Sequence, residues 1–231
     1  MGFKASLRVK CMTEKLDTKP FLEYPNEKLG KPAAIYKHCM EEAKFRLYHL
    51  SNQVKNYKQQ KNWIQKWFVL EAVALQYRKI IELVAIASIG ANQKEYADIR
   101  TQIAKDWNAR LIFRDIMRIN PNFYPRPISG TTPGNTPDDP EAIEEYKEYL
   151  DSNTMLDIYD RCGGLLHADN RLGFMRDPDN SFDYLENSVK SFFSLLDCFW
   201  VCLVPDYHRY ILQLQLESKF APVIIFGAKM N

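Results

Sequence analysis

Apolar residues recur at steps of three and four along two successive stretches of the chain. In residues 33–58 they form one stripe with the charged residues off it, which predicts a long surface helix. Residues 63–89 are apolar on almost every side, which is typical of a helix in the centre of a domain or at a subunit interface. Together these stretches predict two consecutive helices, the second of which organises the core.

Further helices are predicted downstream of this pair. Residues 93–119 carry isoleucines and a tryptophan at helical spacing, and residues 182–204 are strongly apolar and would close a bundle. Pro140-Glu141 is expected to begin an acidic helix, because proline and acidic residues both suit a helix N-terminus. The preceding stretch, 121–140, holds 6 of the 12 prolines and is expected to be an irregular loop.

The two ends of the chain alternate with period two. Residues 3–11 predict a half-exposed strand, whereas residues 212–216 and 223–226 predict a hairpin whose Pro222 restricts it to an edge position. The expected fold is mainly α: a helical bundle of about five or six helices with a small β-hairpin appendage. Its parts would be an N-terminal strand and arm (1–32), a helical domain (33–205) and a C-terminal β-hairpin packed on it (206–231).

The composition, 46% apolar and 26% charged, is that of an ordinary globular protein. No apolar run approaches the roughly 20 residues that span a bilayer, and no signal region is recognised, so we expect a cytoplasmic protein without membrane contact. The five cysteines form no CxxC pair, and Cys198 and Cys202 are expected as buried thiols on a helix. We expect no metal and no cofactor.

Positive charge is concentrated in the first 62 residues, with 13 Lys and Arg against 6 Asp and Glu, and residues 138–160 are acidic. The basic part could attract RNA phosphates, remain a solvated face, or dock on the acidic segment. Arg110, Arg114 and Arg118 recur every fourth residue. They form either a face paired with nearby aspartates or a ridge that binds an RNA backbone.

One short segment, residues 157–170, combines a permanent cation with a titratable imidazole. Arg161 presents a planar fork of donors that suits phosphate oxygens, and His167 can exchange a proton near neutral pH. Such a pair could hold a phosphodiester and move the proton of a ribose hydroxyl without a metal.

An Arg followed by five residues and a His, late in a helical domain, resembles the signature of the HEPN-superfamily ribonucleases. Many members carry a polar residue after the Arg, where this chain has Cys162. The resemblance implies a metal-independent endoribonuclease that leaves a 2′,3′-cyclic phosphate, with Arg161 and His167 catalytic. It also implies a homodimer acting on RNA, in a toxin–antitoxin or antiviral defence role, restrained by an antitoxin or another regulatory protein.

On a regular helix, residues six apart diverge by about 120°, so Arg161 and His167 need help to converge. Gly163-Gly164 could supply a bend or a new helix start, because glycine weakens helices and permits unusual backbone angles. The alternative is a weakened helix with a surface arginine and a capping or core histidine.

Three further residues are assigned to substrate binding: Arg78, Asn170 and Arg171. Arg78 either pairs with Glu82 four residues on, or faces the Arg161–His167 cleft. If the site is not catalytic, the alternative function is a helical dimer that binds RNA, a nucleotide or a protein partner through the same cleft.

Overall fold

The structure, a computed structural model of the chain, describes residues 22–23, 31–92, 96, 108–132, 142–167, 177–204 and 208–229. The helices within these ranges are α1 (Lys31–Tyr57), α2 (Trp63–Ala91), α3 (Ala109–Ile119), α4 (Ser152–Leu166) and α5 (Pro178–Asp197). The strands are β1 (Leu22–Glu23), β2 (Arg126–Thr132), β3 (Ala142–Glu145), β4 (Cys198–Val204), β5 (His208–Gln213) and β6 (Ile224–Lys229). The predicted mainly α fold with a small β part is confirmed.

Helix α2 is the centre of the helical layer, as its apolar sequence predicts. It packs against α1, α3, α4 and α5, and Leu70, Tyr77 and Ile80 on it are fully buried. The Tyr77 hydroxyl donates a 2.6 Å hydrogen bond to the Leu185 carbonyl of α5, and its ring meets Phe192 edge-on. None of the described helices is long and apolar enough to cross a membrane.

The strands form one antiparallel sheet in the order β1-β6-β5-β4-β2-β3. The predicted C-terminal hairpin is present as β5 and β6, but it belongs to this larger sheet. The edge position predicted from Pro222 is wrong, because β6 pairs with β5 on one side and with Leu22–Glu23, within the predicted N-terminal arm, on the other. The strand predicted at residues 3–11 lies outside the described residues.

The helix predicted over residues 182–204 is wrong at its C-terminal end. It stops at Asp197, and residues 198–204 form β4, which pairs with β5 and β2. The Asp197 carbonyl and carboxylate accept hydrogen bonds from the Leu214 and Leu216 N–H groups, which attach the helix end to the sheet. Cys198 and Cys202 are buried free thiols as predicted, but they lie on a strand.

The irregular loop predicted over 121–140 and the acidic helix predicted at Pro140 are also corrected. Residues 126–132 form β2, and Ala142–Glu145 pairs with it as β3. The helix begins only at Ser152, because Asp151 caps it by accepting the N–H groups of Asn153 and Thr154. Residues 133–140 lie outside the described part of the chain.

Candidate functional site

Helix α4 carries the predicted Arg–His segment and runs without interruption from Ser152 to Leu166. Gly163 and Gly164 are ordinary helical residues, and no glycine in the described ranges has a positive φ. The expected bend or helix start at these glycines is therefore wrong. The helix continues through both positions where it packs against α2, although each glycine costs a helix about 1 kcal/mol relative to alanine.

Arg161 lies on the exposed surface of α4, on the side that faces α5. Its guanidinium carbon is 4.0 Å from the centroid of the Tyr184 ring, a stacking distance for a cation on an aromatic face. Within the described ranges the guanidinium has no hydrogen bond and no carboxylate partner. Its donors are therefore available to an anion from solution.

His167 is the residue at which α4 ends, and it is exposed. Its φ of −86° and ψ of 142° are extended backbone angles, so the helix ends here. Because α4 is regular up to Leu166, Arg161 and His167 differ by about 120° around the axis and about 9 Å along it. The expected convergence of the two side chains through a glycine bend does not occur, and the local geometry is that of a surface arginine and a capping histidine.

Arg78 reaches α4 from α2 and is fixed from three directions. Its guanidinium carbon lies 3.9 Å from the centroid of the Tyr159 ring, and Nη2 donates a 2.6 Å hydrogen bond to the Tyr159 hydroxyl. Nη2 also lies 3.5 Å from the Glu82 carboxylate, which Lys79 contacts at 2.9 Å. The intrahelical pair with Glu82 is therefore present, and Arg78 also contacts α4 through Tyr159, whereas its predicted role in an Arg161–His167 cleft stays a prediction.

Gly163 makes this approach of Arg78 possible. A Cβ atom at Gly163 would lie 2.7 Å from Arg78 Nη1, closer than carbon and nitrogen atoms approach without displacement. A larger residue here would displace the end of the Arg78 side chain, whereas the backbone conformation would suit any residue. This contact places a guanidinium beside the middle of the predicted segment.

Cys162, the residue after Arg161, is fully buried on the core side of α4. Burial raises the pKa of its thiol to about 12, and the nearby charge of Arg78 opposes this effect only in part. A thiol of this kind is neutral at physiological pH and inert as a nucleophile. The position that departs from the HEPN pattern therefore has a packing role.

The arginines of α3 are mostly paired, as one of the two alternatives predicts. Arg110 contacts Asp160 at 2.6 Å and Asp157 at 3.4 Å, and Arg114 contacts Asp115 at 2.9 Å. Hydrogen bonding to Asp160 raises the pKa of Arg110 further. The RNA-backbone ridge is therefore not favoured at these two residues.

Two predicted substrate-binding residues, Asn170 and Arg171, lie outside the described residues. Sequence reasoning also missed Tyr184, Tyr159 and the role of Gly163. The signal for the last two was the four-residue spacing of Tyr159 and Gly163, which puts both on one side of the helix.

The described ranges contain no group of three or more His, Cys, Asp or Glu side chains arranged to hold a metal ion.

The chain matches no protein-family profile, no curated protein and no solved structure. The resemblance to HEPN ribonucleases therefore depends on the spacing of Arg161 and His167 and on the helical fold around them. It stays a prediction, to be decided by activity measurements.

Proposed function

We propose that the protein is a metal-independent endoribonuclease in which His167 transfers the proton and Arg161 holds the RNA backbone. The supporting observation is that the end of α4 presents an exposed imidazole and an exposed guanidinium that lacks a carboxylate partner among the described residues. An exposed guanidinium suits a phosphate group and an exposed imidazole suits proton transfer at a ribose, although in one chain the two lie on different sides of α4.

In the proposed reaction His167 removes the proton of a ribose 2′-hydroxyl, and the 2′-oxygen attacks the neighbouring phosphorus. The bond from phosphorus to the 5′-oxygen breaks, and that oxygen takes a proton from water or from His167 of a second copy. The products are a 2′,3′-cyclic phosphate end and a 5′-hydroxyl end. Arg161 stabilises the negative charge that grows on the phosphoryl oxygens.

A cleavage assay on varied single-stranded and structured RNAs tests this proposal. Replacing His167 with alanine should lower the cleavage rate about 100-fold or more, the usual contribution of a general acid or base. The matched control is His38→Ala, because His38 is an exposed histidine on α1, 84% accessible and remote in sequence from the site. The wild-type products should carry cyclic phosphate ends, and activity should persist in excess chelator.

The result that contradicts the proposal is equally specific. Cleavage that survives His167→Ala in a purified, folded sample belongs to another site or to a contaminant. Activity that chelator abolishes excludes the metal-independent route. Circular dichroism of each variant shows that the fold is kept.

A non-catalytic role remains the second candidate, and one observation favours it. Ile64, Phe68 and Leu75 are 45%, 65% and 42% exposed, and their spacing of four and seven places them on one face of α2. The second candidate is a helical homodimer formed through this face, which binds RNA, a nucleotide or a regulatory protein such as an antitoxin. Replacing Phe68 with serine should then dissociate the dimer in sedimentation equilibrium, whereas Phe220→Ser, a change at an even more exposed phenylalanine, should not.

A further inference from the structure

The side of α4 on which His167 lies follows from its spacing to Gly163. Residues four apart on a helix differ by about 40° around the axis, whereas Arg161 and Gly163, two apart, differ by about 160°. The contacts agree with this division, because Arg161 stacks on α5 and Gly163 meets Arg78 of α2. His167 follows Gly163 by one turn and therefore belongs to the α2 side.

The backbone of His167 keeps its side chain on that side. Its φ of −86° is close to the helical value, so its Cα–Cβ bond departs in nearly the helical direction. Cβ atoms four apart on a helix are about 5–6 Å from each other. Arg78 Nη1 lies 2.7 Å from the Cβ position of Gly163, so the guanidinium lies beside α4 one turn before His167 and on the same side of the helix.

Arg78 also has donors left for such a group. Its hydrogen bonds to the Tyr159 hydroxyl and to Glu82 both use Nη2, whereas Nη1 makes one long contact, 3.5 Å to the Tyr159 carbonyl. A guanidinium carries five N–H donors. Stacking on Tyr159 fixes the plane of the group, so the Nη1 edge is held in place before an anion arrives.

We propose that Arg78, which can approach α4 because Gly163 has no side chain, binds the phosphate that lies next to His167 of the same chain. This inference deepens the proposed function and rests on it for the identity of the ligand. Arg78 is fixed on three sides and 24% exposed, whereas Arg161 is held by one ring contact. The better-ordered cation loses less side-chain entropy when it binds.

Binding of a cleavage-resistant, 2′-fluoro single-stranded RNA, measured by fluorescence anisotropy, tests the role of Arg78. Arg78→Gln should weaken binding about tenfold or more, as expected for loss of a charge-assisted contact. It should also lower the slope of log affinity against log salt by about 0.7, the contribution of one phosphate contact to a single strand. The matched control is Lys79→Gln. This variant also removes one positive charge that is paired with Glu82, and it should change RNA affinity less than threefold.

A second pair of variants tests the geometry with every charge retained. Gly163→Ala introduces a methyl group at the Arg78 guanidinium and should weaken binding about as much as Arg78→Gln. Gly164→Ala gives α4 the same gain in helix propensity one position further on and should leave affinity within threefold of wild type. Thermal unfolding shows whether each variant is folded. If Gly163→Ala does not fold, the difference in RNA affinity between Arg78→Gln and Lys79→Gln tests the proposal by itself.

The outcomes separate this inference from the proposed function. RNA that binds with the stated dependence on Arg78 and Gly163 but is not cleaved leaves the phosphate site standing and rejects the ribonuclease. Cleavage and binding that are unchanged in Arg78→Gln keep the ribonuclease and overturn the role of Arg78. A wild-type protein that binds no RNA overturns both.

Discussion

The buried thiol of Cys162 makes stability depend on pH in a way that a single substitution removes. Its ordinary pKa of 9.0 is raised to about 12 by burial. An acid with a raised folded-state pKa contributes fully below its unfolded pKa, and that contribution is lost as pH rises toward the folded value. The window for Cys162 is therefore about pH 9 to 12.

The magnitude follows from the two pKa values. At pH 10 about nine-tenths of unfolded chains carry the thiolate, compared with about one in a hundred folded chains, which lowers the free energy of unfolding by roughly 1–2 kcal/mol. Cys162→Ala removes this loss. Urea unfolding followed by circular dichroism should give a difference between wild type and variant that is constant from pH 6 to 8 and shifts in favour of the variant by roughly 1–2 kcal/mol at pH 10.

Other buried groups, among them Cys39 and Tyr77, also titrate above pH 9, but they are present in both proteins and cancel in the difference. A difference that stays constant to pH 10 would refute the assignment of a buried, neutral thiol. So would rapid modification of Cys162 by a thiol reagent at pH 8, located by peptide mass spectrometry. At that pH its thiolate fraction is about 1,000-fold below that of an unfolded cysteine.

Three further substitutions test contacts between separate parts of the fold. Lys44, 1% exposed, donates to the carbonyls of Gln215 (3.1 Å) and Ala221 (2.8 Å), so Lys44→Met should lower the free energy of unfolding by about 2–4 kcal/mol in urea titrations. Arg110→Gln breaks exposed ion pairs and should cost less than about 1 kcal/mol, with RNA affinity in anisotropy within threefold of wild type. Tyr77→Phe loses one buried hydrogen bond to α5 and should lower stability by about 1 kcal/mol by the same titration.

The helices were predictable wherever one sequence pattern had one structural meaning. The stripe of α1 and the all-round apolar character of α2 predicted their lengths and the central place of α2. Strand β4 was missed because both of its faces are buried: Phe199 and Val201 face the helices, and Trp200 belongs to a second apolar cluster across the sheet. Because neither face of β4 carries polar residues, apolar and polar residues do not alternate along it. Residues 198–204 therefore look like a continuation of the apolar pattern of α5.

The candidate site was not predictable in its geometry, and its residues stay a prediction. The sequence singles out Arg161 and His167 by their chemistry, and the structure shows that both are exposed. The two glycines between them, however, have two physical explanations. Glycine serves either a backbone angle or a close approach by another part of the chain. At Gly163 the reason is the close approach of Arg78. Because Arg78 is 85 residues away in the sequence, only the tertiary structure could show that the glycine is not there for its backbone angle.

The 120° divergence of Arg161 and His167 makes a specific demand on the proposed enzyme. If both residues act on one phosphodiester, as the HEPN resemblance implies, Arg161 must come from a second copy of the chain, while Arg78 and His167 come from the first. In such a two-fold dimer each variant, Arg161→Ala or His167→Ala, loses both sites, but a mixed dimer regains one complete site.

Unfolding the two variants together and refolding them should therefore restore about a quarter of wild-type activity, since about half the dimers are mixed and half of their sites are complete. Each variant refolded alone provides the baseline, and mixed dimers carrying two different affinity tags confirm that exchange occurred. Purified mixed dimers without activity would show that Arg161 and His167 do not act across a subunit boundary. Arg78 would then be the guanidinium that serves His167 within each chain.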